Sequence, residues 1–475
     1  MRPWVGLMLT ALIATGLSVA MMNDYQNWGD DWAQYVLQAR AILDGGMVEY
    51  LDQNAYMVNH SSGTVGPIGY PWGLPLLLAA EGQLFGFTLL TFKLFNIAIL
   101  AAIVLLTGAY AWRLGTPPSG LAAAALVGFN PSWVNFVNHV LSELPFTMLS
   151  MCWLIAAARQ PTAERGGMRG AILMGALSFA AFTIRVNGVL LLVAGLLNTA
   201  LDTELPRWRR LTLAAVHVVS FAVLWLGWSA VFPDGSTSYT RQLEGATIAN
   251  TVRDLVVLPT ALLGFFTAGR LDLVSWCFAP FAVIGAWWKW PDTRPAVIYC
   301  GLGIALYAVW PAGQPYRFMM PLMPIVAVVV VLGLQRCAAA TSGLPAQMWR
   351  AAIVVFPAVF LTVTGTLAAR GTVREAWHPY DAPSRDMFAW IREHTEPDAV
   401  VAFFKPRVMH LLGGRLSITA MSADAPRASY LVYGKRREWT EFQQDLEAYD
   451  DVVTLVRRFE NQNFIVFAVA PRAMP

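Results

Sequence analysis

Charge is scarce in this chain. Lys, Arg, Asp and Glu make up 13% of its 475 residues, about half the share of a soluble globular protein. Hydrophobic residues reach 56% and mean hydropathy is +0.50. These values exclude a soluble enzyme and a disordered hub. The formal net charge is +3, and no run of Lys or Arg is dense enough to track a phosphate backbone, so nucleic acid is not a partner. Cysteine is equally sparse: Cys152, Cys277, Cys300 and Cys337, with no CxxC pair and no His cluster at metal-ligand spacing. A structural disulfide or zinc site is therefore not expected, and no residue is assigned to a metal. Also missing are GxGxxG, a Walker loop, a Ser-His-Asp order and HExxH, which argues against nucleotide and metalloprotease chemistry.

What charge there is lies unevenly. Residues 371–475 hold 27 of the 63 charged residues, leaving the first 370 at about 10%. The pattern predicts a polytopic α-helical membrane protein, residues 1–370 with a loop at 23–70, followed by a soluble α/β domain at 371–475. A crossing needs about 20 apolar residues. Candidate spans are 4–22, 71–87, 92–112, 119–137, 142–158, 169–184, 187–203, 211–231, 272–289, 296–311, 317–335 and 349–368, for a total of about 11–13 crossings. The short apolar stretch 256–269 contains Pro259 and reads as interfacial or re-entrant. Residues 1–22, with Arg2 before an apolar core, also resemble a signal peptide; a retained first helix is the preferred reading.

The connectors around Arg113, Arg159, Arg165 and Arg169, Arg207–Arg210, Lys289 and Arg294, and Arg336 and Arg350 carry eleven basic residues against four acidic ones. The positive-inside rule places them in the cytoplasm. Segment 23–70, with Asp24, Asp30, Asp31, Asp44, Glu49 and Asp52 against Arg40 alone, then lies outside, as does the tail. Two crossings at 71–87 and 92–112 would break this parity, so either 71–87 is a half-helix or one later assignment differs. Arg185 falls near the outer end of a hairpin formed by 169–203.

The segment Trp28–Gly45 (WGDDWAQYVLQARAILDG) follows the first span directly. Helical spacing puts Asp31, Tyr35 and Gln38 on one face, with Val36, Ala39 and Leu43 on another, as in a helix lying on the membrane surface. Asp31 stands at or just before the N-terminus, where an N-cap role is one reading. The other is a base that takes the proton of an attacking hydroxyl.

This segment resembles the first loop of the GT-C superfamily of polyprenyl-phosphate-sugar-dependent glycosyltransferases, near the protein O-mannosyltransferase and aminoarabinose transferase branch. Asp31, Tyr35, Ala39 and Gly45 fit an Asp-x-x-x-Tyr-x-x-x-Ala pattern followed by Gly. Gly69-Tyr-Pro-Trp-Gly-Leu-Pro75, Leu141-Ser-Glu-Leu-Pro145, Arg185, Tyr316-Arg-Phe-Met-Met-Pro321, Ala399–Phe404 and Gly414-Arg415 extend the match along the chain. Trp32 stands where many relatives have Glu, and Trp72 where many have Pro. The resemblance implies a GT-C-like fold and an inverting transfer of a monosaccharide, hexosyl or pentosyl. The sugar would move from a polyprenyl phosphate to an envelope glycan, lipid or protein at the outer face of the plasma or inner membrane. Asp31 is then the catalytic base and Asp30 the reserve. No cofactor is required by this sequence; a divalent cation is compatible but not indicated.

Arg185 and Arg317, at the outer ends of spans, and Tyr316 are candidates for the lipid phosphate, against plain snorkelling. Glu143, Tyr35, His60 and Tyr70 are candidates for acceptor or cavity lining. Their alternatives are an acid at a helix N-terminus for Glu143, a solvated loop for His60, and an aromatic belt for the tyrosines. In the tail, Ala399–Phe404, Tyr430–Tyr433, Val452–Val456 and Phe464–Val469 read as strands, and Pro406–Leu412 and Glu438–Tyr449 as helices. Lys405, Arg407, Arg415 and Lys435–Arg437 form a basic face for an anionic acceptor or headgroups, or a merely solvated one. A secondary transporter or flippase, or a non-catalytic assembly protein of the same fold, are the competing functions.

Overall fold

The computed structural model describes residues 3–63, 65–158, 167–234, 243, 246–268, 273–311, 313–371, 377–436 and 443–471. Arg2, Arg159, Arg165, Arg437 and residues 438–442 of the expected tail helix lie outside these.

The apolar helix α1 (Pro3–Ala20) leads into a loop region that is itself helical: α2 (Asp30–Asp44) and α3 (Met47–Asn59), joined at Gly45, which is left-handed (φ 71°). Then come α4 (Gly73–Phe85), α5 (Leu89–Leu114), α6 (Pro117–Gly128), α7 (Pro131–Phe136) and α8 (Glu143–Ala158). The expected span 119–137 is thus broken in two. Asn130 ends one helix and caps the next, accepting from Ser132 N–H at 3.0 Å, with Pro131 in the first turn. A tight pair, α9 (Met168–Ile184) and α10 (Val189–Ala200), precedes the outer helix α11 (Arg207–Ser229). Next are α12 (Ile248–Leu263), α13 (Ala279–Trp288), α14 (Trp290–Ala308), the short α15 (Pro315–Met319), α16 (Met323–Ala340) and α17 (Gly343–Arg370). The stretch 256–269 is therefore no short stub. It ends a helix that begins at Ile248 and runs on as a 3-10 turn to Thr267, with Pro259 inside it.

Among the described residues, five helical segments are long and apolar enough to cross a membrane: Leu89–Leu114, Arg207–Ser229, Ile248–Thr267, Pro315–Ala340 and Gly343–Arg370. α16 is buried along most of its length despite a run of valines that disfavours isolated helix; packing against α6, α13 and α17 outweighs propensity. α11 and α17 expose most of their apolar surface, as lipid-facing helices do. α4 has 13 residues, about 20 Å of helix against a hydrocarbon core of about 30 Å. It packs along α2. A half-helix at 71–87 fits this geometry.

After α17 come α18 (Ala382–His394), β1 (Val400–Ala402), α19 (Pro406–Gly413), β2 (Leu416–Ile418), β3 (Tyr430–Gly434), α20 (Glu447–Asp450), β4 (Val453–Glu460) and β5 (Phe464–Pro471). They form one sheet in the order β2-β1-β3-β5-β4. β1 runs parallel to β2 and β3, and β5 is antiparallel to β3 and β4. The helix expected over 438–449 is reduced in the described part to α20, because Gln443 instead bridges to Ala420 and its side chain bonds both backbone groups of Gly434.

This α/β unit is fastened to the helical part by an aromatic cluster and a carboxylate latch, among other contacts. Trp28, just before α2, lies among Trp377, Phe388, Phe403, Phe404 and Phe464 at centroid distances of 5.0–6.3 Å. The loop after α3 is held by buried Asp424, whose carboxylate accepts from Ser62 N–H (2.9 and 3.0 Å) and from the Ser62 and Thr419 hydroxyls.

Candidate active site

α2 begins after Gly29, whose extended backbone (φ −140°, ψ 135°) offers no side-chain cap. Asp30 and Asp31 are its first two residues, so neither is the N-cap. Neighbours on a helix project about 100° apart, and the two carboxylates go separate ways. Asp30 turns to the α/β unit and accepts from the Val408 N–H in the first turn of α19, near Lys405 and Arg407. Burial pushes its carboxyl above the usual range, and the charge of Asp31 adds to the rise; the two cations and the hydrogen bond offset this in part. Asp31 turns to the helical part. Tyr70 Oη donates to its Oδ1 at 2.6 Å and Arg317 Nη1 to its Oδ2 at 2.6 Å. Burial works against its charge, but Arg317 and the Tyr70 phenol prevail and hold it down at about 2. Asp31 is thus a carboxylate at any physiological pH.

Arg317 also binds Glu143 through Nε, and Arg185 Nη1 donates to the same Glu143 Oε1 at 2.7 Å. One guanidinium therefore bridges Asp31 and Glu143, and a second neutralises the latter. Glu143 is fully buried, and its Oε2 has no hydrogen-bond partner among the described residues. The side chains of Arg185, Arg317 and Asp31 remain 15%, 21% and 30% exposed, so the cluster opens to solvent on the Asp31–Arg317 side. Ser142 Oγ accepts from Arg185 Nη1 (2.9 Å) and from Tyr35 Oη (3.0 Å), while Tyr35 stacks on Tyr70 at 4.7 Å.

Local sequence explains why these groups meet. Arg185 interrupts the α9–α10 pair in extended conformation (φ −147°, ψ 135°), at the turn where it was expected. Gly73 lets the start of α4 abut the end of α9; a Cβ there would sit 2.5 Å from the Thr183 carbonyl. Arg317 rides on α15, in a stretch where Pro315, Pro321 and Pro324 mark successive helix starts. The segment before α2 is held by fully buried Lys93, which donates to the Asn23 and Tyr25 carbonyls, and by Asn138, which bonds Asn23 N–H and Met21 O.

Asp31, Tyr35, Tyr70, Glu143, Arg185 and Arg317 thus converge. Three expected residues stand elsewhere. His60 ends α3, bonded to Tyr56 O and stacked on the Tyr56 ring beside the Asp424 latch. Tyr316 turns its hydroxyl toward Ser132. Asp30 serves α19. α2 is no surface helix: residues 32–39 are all buried. Arg407 is no surface cation either but is fully buried, and Arg415 closes the end of α18 through Arg392 O and Thr395 O. Unforeseen was a polar pair beside Arg185, in which Asn187 Nδ2 donates to Tyr307 Oη at 2.6 Å and Tyr307 stacks on Phe318. The Ile-Arg-Val-Asn turn carried a signal for Asn187; nothing local marked Tyr307. Among the described residues, no three His, Cys, Asp or Glu side chains gather at metal-binding distance.

A membrane-type helical scaffold, a first loop folded into helices and a C-terminal α/β unit make up the fold on which the carboxylate–arginine cluster is built. Solved structures share it across nearly the whole chain. ArnT from Cupriavidus metallidurans bound to undecaprenyl phosphate is similar at TM-score 0.58 and 14% identity, covering 98% of both chains. The oligosaccharyltransferase AglB from Archaeoglobus fulgidus, in complex with an inhibitory peptide and a dolichol-phosphate, is similar at TM-score 0.56 and 12% identity. It covers 100% of this chain and 75% of its own. The mycobacterial arabinofuranosyltransferase AftD is similar at TM-score 0.56 and 13% identity, covering 99% of this chain and 40% of its own. No protein-family model and no curated protein sequence matches the chain.

Proposed function

We propose that the protein is an inverting glycosyltransferase that moves a monosaccharide from a polyprenyl-phosphate carrier to an envelope glycan, lipid or protein on the outer face of the membrane. The observation that carries this reading is an ionised carboxylate, Asp31, held by Tyr70 and Arg317 in one partly open cluster with a second arginine, Arg185. Asp31 takes the proton of the acceptor hydroxyl. The hydroxyl oxygen bonds to the anomeric carbon as the bond from that carbon to the lipid phosphate breaks, and the electron pair leaves on the phosphate. Such a leaving group is already anionic and needs positive charge more than a proton, which Arg185 and Arg317 supply. Glu143 keeps both guanidinium groups in place before the donor arrives. The lipid phosphates named with ArnT and AglB fit this arrangement, as does the outward placing of the acidic loop by the positive-inside rule.

The test is transfer in proteoliposomes loaded with labelled polyprenyl-phosphate sugars. Wild type transfers label to an acceptor fraction, and Arg185→Ala and Arg317→Ala lose donor binding. Solute movement without turnover would point to a transporter.

A further inference from the structure

We propose that Arg407, in the α/β unit, is a positioning residue for the reaction: it sets the Tyr70 phenol on the Asp31 carboxylate. The inference rests on the glycosyltransferase reading, and one arm of its test does not.

Arg407 stands at the start of α19, 340 residues from the loop it binds. Its Nη2 donates to the Pro67 carbonyl at 2.6 Å, its Nε to Asn54 Oδ1 at 3.4 Å, and its guanidinium lies 5.7 Å over the Tyr70 ring. The side chain is entirely buried, where an arginine is costly; Nε and Nη2 are engaged, while Nη1 has no hydrogen-bond partner among the described residues. Gly66 admits it. That residue is left-handed (φ 89°), and a Cβ there would stand 3.0 Å from Arg407 Nη1. The same loop is bound to α2 at two further points. Gln34 Nε2 donates to the Pro67 and Ile68 carbonyls, and Gln38 exchanges both of its amide bonds with the backbone of Tyr70 (3.1 and 2.9 Å). The backbone of Tyr70 is thus fixed by α2, while its ring is covered by Arg407 and stacked on Tyr35. The ring's hydroxyl donates to Asp31 at 2.6 Å. A shift of the ring by an ångström would lose that bond and leave Asp31 to Arg317 alone. The charged and titratable groups facing Asp31 are Arg317, Tyr70, Arg407, Asp30 and Tyr35.

The experiment is a double-mutant cycle of Arg407→Met and Tyr70→Phe in the full-length protein in proteoliposomes. Arg407→Met is expected to lower kcat by up to about 10²-fold, the scale of an ångström's misplacement, with little change in KM for the donor. Arg407→Lys keeps the charge but not the planar fork, and should recover part of the loss. In the Tyr70→Phe background Arg407→Met should cost little more. Equal losses in both backgrounds, or full activity of Arg407→Met, would overturn the proposal. The second arm needs no turnover. Isotope-edited infrared titration of the Asp31 carboxyl, assigned by its disappearance in Asp31→Asn, should move upward in Arg407→Met and in Tyr70→Phe, and in the double variant by less than the sum of the two, since Arg407 also acts on Asp31 through its charge. Additive shifts would assign Arg407 a direct field effect and defeat the positioning role. If wild type shows no transfer, the functional reading fails while this arm still decides the role of Arg407. Should Arg407→Met not fold, Arg407→Lys carries both arms.

Discussion

At Asp30 and Asp31 one peptide unit separates two carboxylates with opposite surroundings. Asp31 lies in a positive field and contributes stability above pH 3.8 that is lost as pH falls toward about 2. Asp30 is raised, so its contribution has the other sign: present below pH 3.8 and lost as the group ionises. Asparagine at position 30 can still accept from Val408 without a buried charge. Asp30→Asn should therefore keep transfer activity, and should melt at the same temperature or higher at pH 7, with the difference closing in acid. Asp31→Asn should lose about 10²–10⁴-fold in rate and, without the Arg317 ion pair, melt lower than wild type at pH 7, with the difference closing in acid. Thermal unfolding and label transfer on the same preparations check both. The Asp31–Tyr35 pair was legible because i,i+4 spacing is a property of one helix. The burial of Arg407 was not, because it depends on a loop 340 positions away, and local pattern gives a lone Arg on an α/β tail only its default, solvated reading.

Among the elements, the helix starts carry most of the site. Glu143 opens α8, Arg185 ends α9, and α15 presents Arg317 at a proline-marked start. Glu143 holds both arginines from a fully buried position. Glu143→Ala should cost about 3–5 kcal/mol, because it takes from Arg185 its carboxylate partner and leaves Arg317 with Asp31, measured as lost resistance to unfolding in mixed micelles. Glu143→Gln should recover part of it. Gly66→Ala forces a side chain onto Arg407 from a left-handed residue and should reduce kcat in the same way as Arg407→Met. Most helices were visible as apolar runs. The break at Asn130-Pro131 was missed although its signal was present, since a run of hydropathy hides a cap. The early start of α12 was missed because Ile248–Asp254 is polar enough to read as loop.

At the scale of the molecule, composition already separates an apolar body from a charged tail. What composition could not convey is how firmly the two are joined. The tail packs against the first loop beside the site, meeting it through Trp28, Asp30, Arg407 and the Asp424 latch. Asp424→Ala, far from the reacting groups, should speed hydrogen exchange at residues 60–63 by removing the acceptor of the Ser62 N–H. It should also lower activity modestly; unchanged exchange there would show that the latch carries no load. The central claim is that Asp31 is a base acting on a lipid-phosphate-linked sugar held by Arg185 and Arg317. Its most direct test is single-turnover transfer from labelled polyprenyl-phosphate sugars in proteoliposomes, with donor binding measured alongside, for wild type and Asp31→Asn. The account requires that Asp31→Asn bind the donor as wild type does and fail to transfer. Transfer at the wild-type rate by Asp31→Asn would contradict it.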